Sequence, residues 1–127
     1  DMPEMVVILQ HRVEDESGNI TAKRVGTLIY QFSKSTNGWV EGKSFDISYG
    51  NITSSPQYTK RMGLMSGESV IYARNSKGQN VPVEEIGWAD VSATPTHAIV
   101  KFDSSHGGAY IGSVGTTLWV DNIKWVY

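Results

Sequence analysis

Three histidines, a few acids and a scattering of aromatic rings are the side chains here with the chemistry to act on something. His11, His97 and His106 stand far apart, and no His-Glu-x-x-His element occurs, so no zinc site is nominated. Isolated histidines of this kind read as structural. Ser104, His97 and Asp103 can be assembled on paper into a triad, but no Gly-x-Ser-x-Gly elbow presents a serine, and the triad is rejected. Glycoside cleavage needs two carboxyls facing each other across a bond. Glu84 and Glu85 are adjacent, and neighbours on a strand point to opposite faces. Two acids meeting from different strands would still serve, but nothing in the sequence singles them out. No catalytic residues are assigned, and the chain reads as a non-enzyme more readily than as an enzyme.

The aromatics carry the stronger signal. Sugar rings stack their C–H faces on Trp and Tyr while amides and acids hold the hydroxyls. Trp39, Tyr58, Tyr72, Trp88 and Tyr110 lie in or beside turns, where a binding rim would form. Core packing is the plainer use of such rings. Trp88 and Tyr110, next to glycine and polar loop residues, are the two expected at the surface. Asp121 interrupts the apolar alternation of the last segment, where Leu118 and Val120 share one parity and Ile123, Trp125 and Tyr127 the other. If both sets face the core, a bulge sits near Asp121. A carboxylate held there could ligate a structural calcium, or it could cap a kink or pair with Lys124.

Other motifs are weaker. Gly107-Gly108 and Gly112 with Gly115 lack the Gly-Lys-Ser/Thr and following helix of a phosphate loop, so they read as turns. Lys60-Arg61 is a bare pair and reads as a solvated loop. Asn19-Ile-Thr and Asn51-Ile-Thr match the N-glycosylation pattern, at a frequency chance would supply.

The elements that must position these residues are strands. At 127 residues the chain is long enough for one core, so residues 1–127 are taken as one domain. Thirteen glycines punctuate it and no window sustains a helical period. Strands are expected over 5–14, 20–34, 39–49, 70–75, 98–102 and 116–127, with turns at Asp15-Glu-Ser-Gly-Asn19 and Asn75-Ser-Lys-Gly78. In 20–34, Arg24 shares parity with Gly26, Leu28 and Tyr30. Residues 81–90 are ambiguous, because Pro82 restricts them to an edge strand or a loop. The fold class expected is all-β, a jelly-roll sandwich of antiparallel strands.

A formal net charge of -2 gives no electrostatic reason to expect nucleic acid or an anionic membrane. The absence of cysteine excludes disulfides, thiolate metal sites and a cysteine nucleophile. No apolar run reaches membrane-spanning length. The apolar run at residues 5–9, so soon after Asp1, leads us to expect a processed or partial product. A missing N-terminal segment or a neighbouring chain would then pair with that strand.

The stretch Pro95-Thr-His-Ala-Ile-Val-Lys-Phe-Asp-Ser-Ser-His-Gly-Gly, with Gly112-Ser-Val-Gly-Thr-Thr-Leu-Trp-Val-Asp-Asn-Ile-Lys-Trp-Val-Tyr127, resembles the end of a carbohydrate-metabolism domain family of gut Bacteroidetes. Thr116 stands where the family pattern has Ser. The 39–49 segment is similar to the family's Trp…Phe-x-Ile-x-Tyr strand. The resemblance implies a jelly roll akin to carbohydrate-binding modules, longer than this chain at its N-terminus, with no catalytic residues to carry over. The leading expectation is thus a secreted or cell-surface module that binds polysaccharide or glycan. The alternatives are a structural or adhesive subunit of an extracellular assembly and a domain associated with glycoside hydrolysis.

Overall fold

A computed structural model describes residues 3–34, 36–103, 118, 120 and 123–125. Its strands are β1 (Glu4–Glu14), β2 (Ile20–Gln31), β3 (Ser48–Tyr49), β4 (Ile71–Arg74), β5 (Asn80–Trp88) and β6 (His97–Asp103). They form one six-stranded sheet in the order β4-β5-β2-β1-β6, with β3 added to β2. The helical elements among the described residues are single 3₁₀ turns at Lys60–Met62 and Gly67–Ser69. No helix among the described residues is long and apolar enough to cross a membrane. The all-β expectation stands; a second, facing sheet of a sandwich is not among the described residues.

The sheet is mixed. Four pairings are antiparallel, but β2 and β5 run parallel from Ile20↔Val83 to Arg24↔Trp88. This corrects the purely antiparallel expectation. It also places Pro82 inside the sheet, where the sequence allowed only an edge or a loop. Pro82 pairs with Tyr72 on one side, and the ladder to β2 begins one residue later at Val83. Locally, then, Pro82 is still at the end of a ladder, where a missing N–H does least harm.

The 39–49 strand is corrected more severely, to two residues. The edge of β2 facing away from β1 is shared: β5 takes Ile20–Arg24, and β3 pairs with Gly26 and Thr27. Two loop bonds mark the division, Ala89 N–H to the Arg24 carbonyl (2.8 Å) and Gly50 N–H to the Val25 carbonyl (3.0 Å). Asn37, Gly38 and Gly42 adopt positive φ and break the extended backbone. Phe45 and Ile47 still turn inward and pack on the core.

β1 and β2 pair along their whole length, with a shift between Leu9 and Gln10 where Val25 and Gly26 together oppose Leu9. That bulge splits β2. On one face Met5, Val7, Leu9 and Val25 form the buried apolar core, with Leu28, Tyr30, Phe32, Phe45, Ile47, Val100 and Phe102 packed around it. The rings of Tyr30 and Phe45 meet edge-on at 4.8 Å. The covering segment comes close at Gly26, where a Cβ would lie 2.7 Å from Ile47 Cγ2. The opposite face carries Glu4, Gln10, Arg24 and Thr27, all buried. A smaller apolar cluster of Ile20, Ala22 and Val83 continues the sheet toward β4.

The two hairpins end alike. Asp15 N–H donates to the Asn19 carbonyl (2.9 Å), Gly18 N–H to the Asp15 carbonyl (3.1 Å), and Asp15 Oδ1 accepts from the Ser17 and Asn19 amides. Asn75, Lys77, Gly78 and Gln79 repeat that pattern. The turns then dock: Asn75 Nδ2 donates to the Gly18 carbonyl (2.9 Å), the Ser76 amide and hydroxyl to Glu14, and Lys77 Nζ to the Glu16 carbonyl. Both turn clusters read in the sequence are therefore real, and they hold one end of the sheet together.

The segment 116–127 is described at Leu118, Val120 and Ile123, Lys124 and Trp125, none of which is in a strand. Trp125 is exposed. The remainder of that expected strand lies outside the described residues.

Candidate functional site

The aromatic residues expected to form a binding rim are spread over the molecule. Trp39 lies in the segment between β2 and β3 and is 68% exposed; Tyr72, on β4, is 62% exposed. Tyr58 is half-buried and lines a shallow groove of about 210 Å³ with Thr27, Ile52, Ser55, Gln57 and Met62. That is below the roughly 300–1,000 Å³ of a typical small-molecule pocket. Trp88 was expected at the surface but is half-buried, with the Arg24 guanidinium carbon 5.5 Å from its ring centroid. The ring–ring contacts among the described residues join Tyr30, Phe32 and Phe45, not the expected rim residues. Tyr110 and Asp121 lie outside the described residues, as do Ser104 and His106. Among the described residues no three His, Asp or Glu side chains cluster to hold a metal.

The strongest concentration of polar chemistry is one the sequence did not nominate. Arg24 is fully buried and uses all five of its N–H donors. Nε donates to Glu85 Oε2 (2.8 Å) and Nη2 to Glu85 Oε1 (2.6 Å) and the Gly63 carbonyl (3.0 Å). Nη1 donates to Thr27 Oγ1 and the Met62 carbonyl, both at 3.0 Å. Glu85 is 3% exposed and accepts two further bonds, from Gln10 Nε2 (2.9 Å) and the Met65 amide (2.7 Å). Gln10, also fully buried, accepts from Arg12 Nε at 2.9 Å. Among the described residues no buried side-chain polar atom is left without a partner.

The bulge at Val25 creates this cluster. Unbroken alternation would put Arg24 on the side of Gly26 and Leu28. One inserted residue turns it to the side of Thr27 and aligns it with Gln10 on β1 and Trp88 on β5. The signal that could have found it was the placing of Gln10, Arg24 and Glu85 within strand-forming runs, where a buried charge needs a partner.

A second ion pair fastens the same loop. Both Nη atoms of Arg61 donate to the Glu4 carboxylate at 2.6 Å, and Glu4 is 1% exposed. Arg61 lies exposed in a loop, as the sequence suggested, with its guanidinium paired to Glu4. The hydrogen bonds to Glu4 hold its guanidinium above its ordinary range, against some desolvation. The 60–65 segment is tied down twice, to β1 through Arg61 and to β2 and β5 through its backbone.

The electrostatics describe a clamp. Burial pushes the Glu85 carboxyl up, but hydrogen bonds from Arg24, Met65 and Gln10, with the Arg24 charge, outweigh it and hold the group below the usual range. A general acid must carry a proton at its working pH, and Glu85 is held ionised with its lone pairs engaged. Glu84, its neighbour, faces solvent on the opposite side of β5, so these two acids do not face each other. His97 Nδ1 lies 2.7 Å from Thr96 Oγ1; burial, then the Arg12 charge, lowers its pKa. His11 Nδ1 lies 3.1 Å from the Thr94 carbonyl. Asp103 pairs with Lys101 at 3.4 Å.

Comparison with known proteins finds one informative similarity. No family model matches, and no solved structure matches. The chain is 30% identical over 86 residues to the long-tail fiber protein gp35 of Enterobacteria phage T4, a stretch that covers 65% of this chain and 23% of that protein. The chain thus spans less than a quarter of the length of the curated relative it matches, and what it shares with that relative is a segment of a fibre protein.

Proposed function

We propose that this chain is a structural or adhesive module of an extracellular, fibre-like assembly. The observation that carries the reading is the similarity to a phage long-tail fibre protein. The geometry supports it in one respect: the concentrated polar chemistry is spent internally. Arg24 and Glu85 clamp a loop to a sheet, and the two hairpin turns clamp each other. A rigid sheet with internally satisfied polar groups suits a load-transmitting module. Negative-stain microscopy and small-angle scattering of the full-length protein that carries this segment test the proposal. An elongated particle is expected; a compact particle with no neighbouring protein bound would overturn it.

A second reading keeps glycan binding, with the jelly-roll architecture and surface location that the resemblance over residues 95–127 implies. The observation that favours it is the exposure of Trp39 and Tyr72. Affinity electrophoresis on a polysaccharide panel should show retardation that Trp39→Ala or Tyr72→Ala relieves; unretarded migration on every polysaccharide sinks it. A calcium ion at Asp121 belongs to this reading, and an unchanged melting temperature on chelation would dispose of it.

A further inference from the structure

Among the described residues, the apolar face of the sheet is covered for only half its length. Over Met5, Val7 and Leu9 lie Phe45, Ile47, Ala89 and Ala93. Toward the hairpin turns no described residue covers the same face. Val13 is 56% exposed and Ile86 60% exposed, and they line a shallow groove of about 270 Å³ with His11, Thr21 and Lys23. Ile86 is the extra residue where the β2–β5 register shifts, which throws it out from the sheet. Register places Val13, Thr21 and Glu84 in one row across β1, β2 and β5, with Lys23 two residues along β2.

Lys23 and Glu84 are both exposed, and among the described residues neither forms an ion pair. An apolar strip bearing one unpaired cation and one unpaired anion is complementary to itself. A two-fold axis brings the cation of each copy to the anion of the other, as an isologous interface requires. From this we infer that the open half of the face is a self-docking surface: a second copy of the chain packs Val13 and Ile86 against their equivalents, with Lys23 of each copy paired to Glu84 of the other. The inference rests on the assembly reading and adds the partner and the surface. Opposite charges at the rim fix orientation, and the apolar strip supplies the attraction.

Light scattering after size exclusion, over a wide concentration range, tests it on the chain as it stands. A dimer is expected. Lys23→Glu or Glu84→Lys alone places like charges together twice per dimer and should weaken association by about tenfold or more. The double variant K23E/E84K should return association to within roughly threefold of the wild type, because the swapped pair is again complementary. Ile86→Lys should give monomer. All of these positions are exposed, so unchanged circular dichroism and melting are expected. A wild-type monomer at every concentration, or a dimer indifferent to the charge swaps, overturns the inference. Either result would leave the fibre reading standing, because that reading is judged by the shape of the full-length protein.

Discussion

β1 and β2 present two faces that differ in kind although they share a backbone. On one, Met5, Val7, Leu9 and Val25 are buried among aliphatic and aromatic side chains. On the other, Glu4, Gln10, Arg24 and Thr27 are buried no less completely, and they are held by hydrogen bonds and ion pairs, with the Arg24 guanidinium also over the Trp88 ring. The apolar face gains by removing area from water, which is non-directional and tolerates some rearrangement. The polar face gains little net energy, since desolvating two charges offsets much of their attraction. What it supplies is position: the carbonyls of Met62 and Gly63 and the amide of Met65 are each held at one point over the sheet. One face holds the strands together, and the other determines where an irregular loop lies.

The sharpest way to break that contrast is to remove one charge. Glu85→Ala strands the Arg24 guanidinium in the interior and should cost about 3–5 kcal/mol in urea unfolding. Replacing both partners together, Arg24→Met with Glu85→Leu, should cost much less than the single change. If positioning is the role of the pair, the double variant keeps the sheet but loses hydrogen-exchange protection at the Met65 amide. On the apolar face, Leu9→Ala should cost about 2–5 kcal/mol, and the 60–65 segment should keep its protection in the variant that remains folded. Gly26→Ala tests the packing above that face. Its Cβ would meet Ile47 and Leu9, and overpacking of this kind costs about 1–3 kcal/mol.

The smallest effect is in pH. The folded Glu85 carboxyl titrates below its unfolded value, which is about 4.3 for an ordinary glutamate. Its contribution is therefore complete above the unfolded value and is lost as pH falls through the folded one. Wild type should lose stability on that acid limb, and Glu85→Gln, with no carboxylate to protonate, should show a flatter limb at a lower plateau.

Local features of this fold were legible where local chemistry decides them. Asp15 and Asn75, each followed three residues later by glycine, announce Asx-type turns, and both form. The β-branched runs that became β1 and β2 begin and end within a few residues of their expected limits. The 39–49 strand shrank to Ser48–Tyr49 because positive φ at Gly42 breaks the extended backbone before it, and because β5, from far along the chain, already holds Ile20–Arg24 of the β2 edge. The placing of Arg24 failed because one inserted residue at Val25 reverses the parity that periodicity assumes. Trp88 looked like a surface ring beside Gly87, and the separate register shift at Ile86 sets it opposite Arg24. The candidate site suffered most, since it depends on pairs such as Gln10 with Glu85, 75 residues apart.

The sequence alone determined the all-β character, the hairpin turns and the apolar run that became β1. Each follows from side-chain type and short-range spacing. Tertiary structure decided the parallel seam between β2 and β5, the two register shifts and the buried Arg24–Glu85 clamp. Those depend on which segments compete for one strand edge and on which distant charge arrives to neutralise another. Neither competition nor pairing is encoded within any short window of the chain.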